Sequence, residues 1–273
     1  MDLSGKTILI TGSTDGVGRL VAERLAADGA HVLVHGRDGK RGESLVAAIA
    51  KAGKGKSTLY LADLSSMSEV RRLAKDILAN HKRIDVLINN AGIGFVPAGR
   101  QVTVDGYELR FAVNYLAGFL LTHLLLSTLT ASAPARIVNV ASLGQSPVNF
   151  DDVMMEKNWL GERDAYTQSK LAQIMFTFDL AERLAGSGIT ATAVHPATFM
   201  ATGMVLNAGI EPLTTVAEGA EAILAVAVGP QHAKTTGKFF NGLKEARPNG
   251  QAYEKAARER LWALSLKLTG LGA

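Results

Sequence analysis

The sequence predicts one α/β domain built on a doubly wound, mostly parallel seven-stranded sheet. Three observations predict it. Short apolar, β-branched runs alternate with amphipathic stretches of helical period, the pattern of strand–helix–strand units joined by right-handed crossovers. Small, polar or glycine-rich residues follow the carboxyl ends of the strands, where such sheets bind ligands. No linker, repeat or composition break divides the 273 residues, a normal length for a single α/β domain. Residues 1–273 are therefore read as one unit.

The run 6–11 reads as a buried first strand. It leads through Gly12, Ser13, Thr14, Asp15, Gly16, Val17 and Gly18 into an amphipathic helix over 19–27. A strand, a glycine-rich turn and a helix make a phosphate cradle, because glycine lets backbone approach a pyrophosphate and helix amides point at negative charge. The spacing G-x-x-x-G-x-G also fits an ordinary strand–helix turn. The second strand, 31–36, ends at Gly36 where NAD sites place an acid, and Arg37 follows. A guanidinium there suits the 2′-phosphate of NADP, with Arg19 as a second charge and Asp15 and Asp38 working against it. The alternative for Arg37 is a solvated loop residue.

A helix over 43–52, a third strand over 57–61 followed by Asp63 and Leu64, and a helix over 69–80 come next. The fourth strand, 84–88, runs into Asn89, Asn90, Ala91 and Gly92, small and amide residues suited to close approach of a ligand or a neighbouring loop. A loop over 94–99 precedes a long helical region over 104–129 that carries Asn114, which by itself reads as a satisfied core amide. The fifth strand, 135–141, ends at Ser142. The stretch 144–162 lacks periodicity and reads as a loop with one short helix. A helix over 164–184 places Tyr166 and Lys170 one turn apart on one face, so that an ammonium stands beside a phenol and can bring its pKa down. The sixth strand, 189–195, ends at Pro196. A loop over 197–213, a helix over 215–228, a short strand over 238–240 and a closing helix over 251–268 complete the chain.

Composition narrows the function. There is no cysteine, so disulfides, thiolate metal sites and cysteine nucleophiles are excluded. The net charge of +4 comes from basic residues dispersed among acidic ones, so no nucleic-acid surface is expected. The apolar runs 111–121 and 124–126 are broken by Asn114, Gly118 and His123, and no membrane span is expected. The start lacks an apolar secretory segment, and a cytoplasmic protein is the expectation.

Together these residues resemble the short-chain dehydrogenase/reductase family, over 6–195 and in the family's order. Thr11, Gly12, Gly16 and Gly18 match its cofactor turn; Asp63 and Leu64 resemble its residues beside adenine; Asn89, Asn90, Ala91 and Gly92 match its fourth-strand signature. Asn114, Ser142, Tyr166 and Lys170 match its catalytic tetrad, and Pro196 with Thr198 and Thr202 resembles its nicotinamide-contacting segment. Ala197 departs from the family's usual glycine. The long interval from Ser142 to Tyr166, the Gly36-Arg37-Asp38 sequence and the closing Leu261-Trp262 resemble the retinol-dehydrogenase-like branch.

The resemblance implies a Rossmann-type fold and an oxidoreductase using NADP (NADPH). It implies that Tyr166 handles the proton and Lys170 tunes it and bonds the ribose. Ser142 would polarise the substrate oxygen, and Asn114 would hold a water linking Lys170 to solvent. A wall of Phe95, Val96, Phe150, Met154, Phe199, Met200 and Met204 suggests a bulky, largely apolar carbonyl or alcohol. Family dimers often pair the helices carrying Asn114 and Tyr166, with cover of that surface by the long interval before Tyr166 as the alternative, which makes a homo-oligomer an open expectation. One rival, a catalytically silent NADP sensor, goes with loss of the tyrosine or lysine, and all four positions are filled. Another, an extended-branch epimerase or dehydratase, goes with a different glycine spacing and a longer chain.

Overall fold

The computed structural model describes residues 1–94 and 99–272; Phe95 and Val96 of the expected substrate wall lie outside them. Among the described residues, eight strands form one sheet in the order β3-β2-β1-β4-β5-β6-β7-β8. They are β1 (Thr7–Ile10), β2 (His31–Gly36), β3 (Lys56–Leu61), β4 (Val86–Asn89), β5 (Ala135–Val140), β6 (Ile189–His195), β7 (Lys238–Asn241) and β8 (Lys244–Ala246). The first seven pair in parallel, and β8 folds back antiparallel on β7. The sequence reading lacked β8, whose three residues carry two charges and no apolar run.

The core lies on both faces of the sheet, as a parallel sheet requires. Period-two alternation sorts the strand residues. Leu9, Leu33, Leu87 and Ile137 pack toward α3 (Met67–Asn80), α4 (Ala117–Ala131) and α5 (Glu162–Arg183). Ile8, Ile10, Val32, Val34 and Val138 pack toward α1 (Gly16–Ala27), α2 (Gly39–Ala52) and α7 (Val216–Val228). Each fully buried aliphatic side chain contributes roughly 1.5–3 kcal/mol. Short polar side chains start the helices: Asp15, Asp38 and Ser66 cap α1, α2 and α3, and Thr215 with Glu218 forms a capping box on α7.

Three expectations change. Residues 104–108 are not helical; a π-helical segment, Phe111–Leu116, runs into α4 and carries Asn114. Together they form the continuous stretch Leu109–Ala131, long and apolar enough to cross a membrane, although 61% of its most apolar window is buried in the fold. Asn114, Gly118 and His123 do not break it: Asn114 is bonded to protein, and His123 Nδ1 hydrogen-bonds Phe119 O. The interval 144–160 contains turns but no helix.

The chain closes with α8 (Lys255–Thr269), preceded by a 3₁₀ turn, Gly250–Tyr253, and by α6 (Gly203–Leu206) in the loop after β6. Helix α8 lies across the helical layer. Trp262 meets Phe119, His123 and Phe176, and Arg183 stacks 4.0 Å over its ring. Ser265 and Tyr115 share a 2.6 Å hydrogen bond, and buried Arg258 donates to Glu182. What covers the outer face of α4 and α5 is thus α8, not the long interval before Tyr166.

Candidate active site

The order of strands reverses between β1 and β4, and the loops at their carboxyl ends open a crevice at that switch point. The crevice is a continuous cleft of about 1800 Å³. It is lined at one end by Gly12, Thr14, Gly16, Val17, Gly18, Arg37, Asp63 and Leu64, in the middle by Asn90, Ala91 and Gly92, and at the other end by Ser142, Tyr166, Lys170, Pro196 and Thr198. Of the polar residues in the expected constellation, Thr11, Ser13, Arg19, Asn89 and Asn114 do not line this space, and the others open on it.

Ser13 is buried and does not line the cleft. Its hydroxyl accepts from His35 N at 3.0 Å, so it holds the glycine turn to β2 rather than meeting a ligand. His35 does the same from its ring. Gly12 N donates to Nδ1 at 3.1 Å, which leaves the proton on Nε2 to donate to Ala62 O at 3.2 Å. Burial pushes the His35 pKa down to about 4, so the ring is neutral in this arrangement. Gly12 has φ +64°, and a Cβ there would lie 2.8 Å from Ala91 Cα. A Cβ on Gly18 would collide with Gly12 O and Asn90 Nδ2. The turn is compact because those two positions carry no side chain.

These features fit a dinucleotide. The first turn of α1 presents backbone amides to the cleft between glycines. Beyond Gly36 the rim carries Arg37, which pairs loosely with Asp63 at 3.7 Å, and Arg41, which pairs with Asp15 at 2.6 Å. Both guanidiniums are more than half exposed. Arg19 is instead bound to Glu23 at 3.0 Å and does not line the cleft. The second rim cation is Arg41, whose place near Arg37 depends on where α2 starts. Asp38 fixes that start by accepting from Arg41 N.

At the other end, Ser142 leaves β5 and is 8% exposed, with its Oγ accepting from Gly144 N at 3.1 Å. Tyr166 and Lys170 rise from α5 opposite it. The Lys170 Nζ lies 5.7 Å from the Tyr166 ring centre and donates to Val140 O at 2.9 Å and Gln173 Oε1 at 2.8 Å. Burial drives the Lys170 pKa down to about 7. Burial also raises the Tyr166 pKa, against a hydrogen bond with Ser142 that lowers it. The expected depression of the phenol by a fixed ammonium is therefore not what these surroundings give. Desolvation outweighs the hydrogen bond and weakens the lysine's own charge, leaving Tyr166 a neutral phenol that can donate a proton.

Asn114 is 2% exposed. Its Oδ1 accepts from Ile93 N at 2.8 Å, and its Nδ2 donates to Ile93 O and to Ser169 Oγ. The amide latches the loop after β4 to α5 just behind Lys170. At the nicotinamide-end segment, His195 shares a 3.0 Å hydrogen bond with Thr198 Oγ1. His195 also lines the cleft, and sequence reasoning missed it along with His35, Arg41 and Gln173. Strand ends were the available signal for the two histidines.

The substrate wall is partly as expected. Phe199, Met200 and Met204 line the cleft, with Leu143, Val205 and Ile210 beside them. Phe199 is held at φ +46°, a left-handed backbone that costs a non-glycine residue roughly 1–2 kcal/mol. Phe150 and Met154 do not line the cleft. Both pack on the core: Arg260 of α8 stacks 4.9 Å over the Phe150 ring, and Met154 Sδ lies 3.3 Å from Glu108 N. The long loop carries them away from the cleft. Among its polar lining residues are Arg110, bonded to Gly94 O and Glu108, and Arg163.

Comparison with known proteins follows the same lines. The sequence profile of the short chain dehydrogenase family matches residues 6–213. Human retinol dehydrogenase 13 is 36% identical over 99% of this chain and 86% of its own length. Bovine retinol dehydrogenase 12 is 38% identical over 99% of this chain and 88% of its own. An uncharacterised Mycobacterium paratuberculosis protein superposes with a TM-score of 0.81 at 31% identity, covering 98% of this chain and 95% of that one. A Burkholderia cenocepacia short chain dehydrogenase, solved in complex with NADP, superposes with a TM-score of 0.72 at 28% identity, covering 88% and 97%.

Proposed function

Because the chain belongs to the short chain dehydrogenase family, in its retinol-dehydrogenase-like branch, we propose that it is an NADP(H)-dependent reductase of bulky, largely apolar ketones or aldehydes. The observation that carries this reading is the single cleft in which Ser142, Tyr166 and Lys170 face a glycine turn and two rim arginines. The cofactor would lie from Arg37 and Arg41, past Gly12–Gly18, to Thr198 and Lys170, and when bound it supplies the hydride. Two relatives in fold were solved with NADP, and Gly36 stands at the strand end where NAD sites place an acid.

The protein's own residues manage the oxygen and the proton. Ser142 Oγ donates to the carbonyl oxygen and stabilises charge that develops there. Tyr166 is neutral near pH 7 and gives its proton to that oxygen as the C–H bond forms. Lys170, with a pKa brought close to neutrality by burial, would bond the cofactor ribose and take part in reprotonating the phenol. The apolar surface of Phe199, Met200, Met204 and Leu143 holds the rest of the substrate.

The test is NADPH consumption with a panel of ketones and aldehydes of graded size and polarity. The expected result is turnover of bulky apolar carbonyls with NADPH favoured over NADH. Activity confined to small polar sugars, or a preference for NADH, contradicts it. Arg37→Ala should raise the KM for NADPH about tenfold or more, the loss of one charge-assisted contact of roughly 1.5–3 kcal/mol, and leave the KM for NADH nearly unchanged.

A further inference from the structure

We propose that Gln173 is the positioning residue of Lys170, and that one water shared with Asn89 holds the Gln173 amide in turn. The inference rests on the reading of Lys170 as a working group of the cleft.

Lys170 is 4% exposed, and its Nζ has two acceptors, Val140 O and Gln173 Oε1. The first is main chain, fixed by β5; the second is, among the described residues, the one side chain that accepts from the ammonium. The titratable groups facing it are Tyr166 on α5 and His195 at the end of β6. No carboxylate lies within ion-pair distance among the described residues. An ammonium is donor only, so the Gln173 oxygen must face it and the Nε2 must turn away.

Gln173 is 4% exposed, and its Nε2 makes no hydrogen bond among the described residues. The residue lines a small cavity of about 10 Å³ together with Thr11, Asn89 and Asn114, and Leu64, Ala91 and Val113 line both this cavity and the cleft. Asn89 Oδ1 is buried and has no hydrogen-bond partner among the described residues. Buried polar atoms are nearly always paired, and a space of this size accommodates one water. The water accepts from Gln173 Nε2 and donates to Asn89 Oδ1.

That link closes a ring. Asn89 Nδ2 donates to Asn139 Oδ1 at 2.9 Å. Asn139 Nδ2 donates to Thr177 Oγ1 at 2.8 Å, and Thr177 Oγ1 donates to Gln173 O at 2.7 Å. Gln173 is thereby held at its backbone and at its amide by β4 and β5, and Lys170 takes its position from the sheet. Asn114 bonds Ile93 and Ser169 and does not supply this hold.

The test follows the titration of Lys170 by ¹³C NMR of its ε-carbon, the signal being assigned by its loss in Lys170→Met. In Gln173→Glu a carboxylate stands against the ammonium, and the midpoint should rise by about one unit or more, a tenfold change. In Gln173→Met, of similar volume but with no acceptor, the midpoint should fall, and kcat near neutral pH should drop about tenfold. Gln173→Asn, too short to reach Nζ, is a second loss variant should the methionine variant not fold. A purely structural role would lower the melting temperature and leave the Lys170 midpoint unmoved in all three, which overturns the proposal. The NMR titration needs no turnover, so the two readings fail separately. A shifted midpoint in a chain that reduces no carbonyl sinks the reductase reading, and an unshifted midpoint in an active enzyme sinks this one.

Discussion

Lys170 Nζ lies 5.7 Å from the Tyr166 ring centre, and burial brings its pKa down to about 7 while raising that of the phenol. Spacing of four residues on a helix puts the two side chains together and by itself implies a depressed phenol, but it does not register the burial that works the other way. His35 shows the same limit from the other side. Nothing about a histidine at a strand end says that it carries the Gly12 amide. The prediction at this scale is a pH dependence. Its folded pKa of about 4 lies below the ordinary 6.5, so the unfolded chain binds the extra proton first. The neutral ring's contribution is then complete above about pH 6.5, and is lost as pH falls from there through 4. A shift of that size corresponds to roughly 3 kcal/mol. Urea unfolding between pH 4 and 7 should show stability rising with pH, and a smaller rise in His35→Asn. Equal slopes for the two proteins would contradict this role.

Helix α8 does for the molecule what the sequence assigned to the long interval before Tyr166. Its anchors, Leu261 and Trp262, were legible as apolar positions at helical spacing, but periodicity cannot name the surface they cover. That surface is α4 and α5, reached through Trp262 against Phe119 and Phe176 and through Arg258 against Glu182. Leu261 is 1% exposed, and Leu261→Ala should cost about 2–5 kcal/mol, measured by denaturant unfolding. A loss under 1 kcal/mol would mean α8 is not a core element. Strands and most helices were legible because a sheet buried on both faces imposes period two on its strands and an amphipathic stripe on its helices. Strand β8 was not, since a three-residue edge strand with charged ends carries neither signal. Phe150 and Met154 were misplaced for a related reason. A loop without periodicity does not reveal which of its apolar residues face a cleft and which face the core.

For the whole molecule, the sheet order places every ligand-facing loop at one edge, and so the cofactor end and the substrate end share one cleft. The glycine turn, the residues after β4 and the Ser142–Tyr166–Lys170 group were recognisable as ordered motifs, although each is weak alone. With α8 lying over α4 and α5, the chain is expected to be a monomer in solution, and light scattering that gives the mass of two chains would contradict it. Binding should also stabilise the fold: NADPH at about a hundred times its Kd adds roughly 2.7 kcal/mol, visible as a rise in Tm that NADH at equal concentration does not match. Delivery of the proton by Tyr166 in an NADPH-dependent carbonyl reduction is checked by single-turnover measurement of NADPH oxidation in the wild type and in Tyr166→Phe, with NADPH affinity determined in parallel. The variant should bind NADPH about as tightly as the wild type and lose turnover by a factor of 10² or more. Tyr166→Phe turning over at the wild-type rate would contradict it.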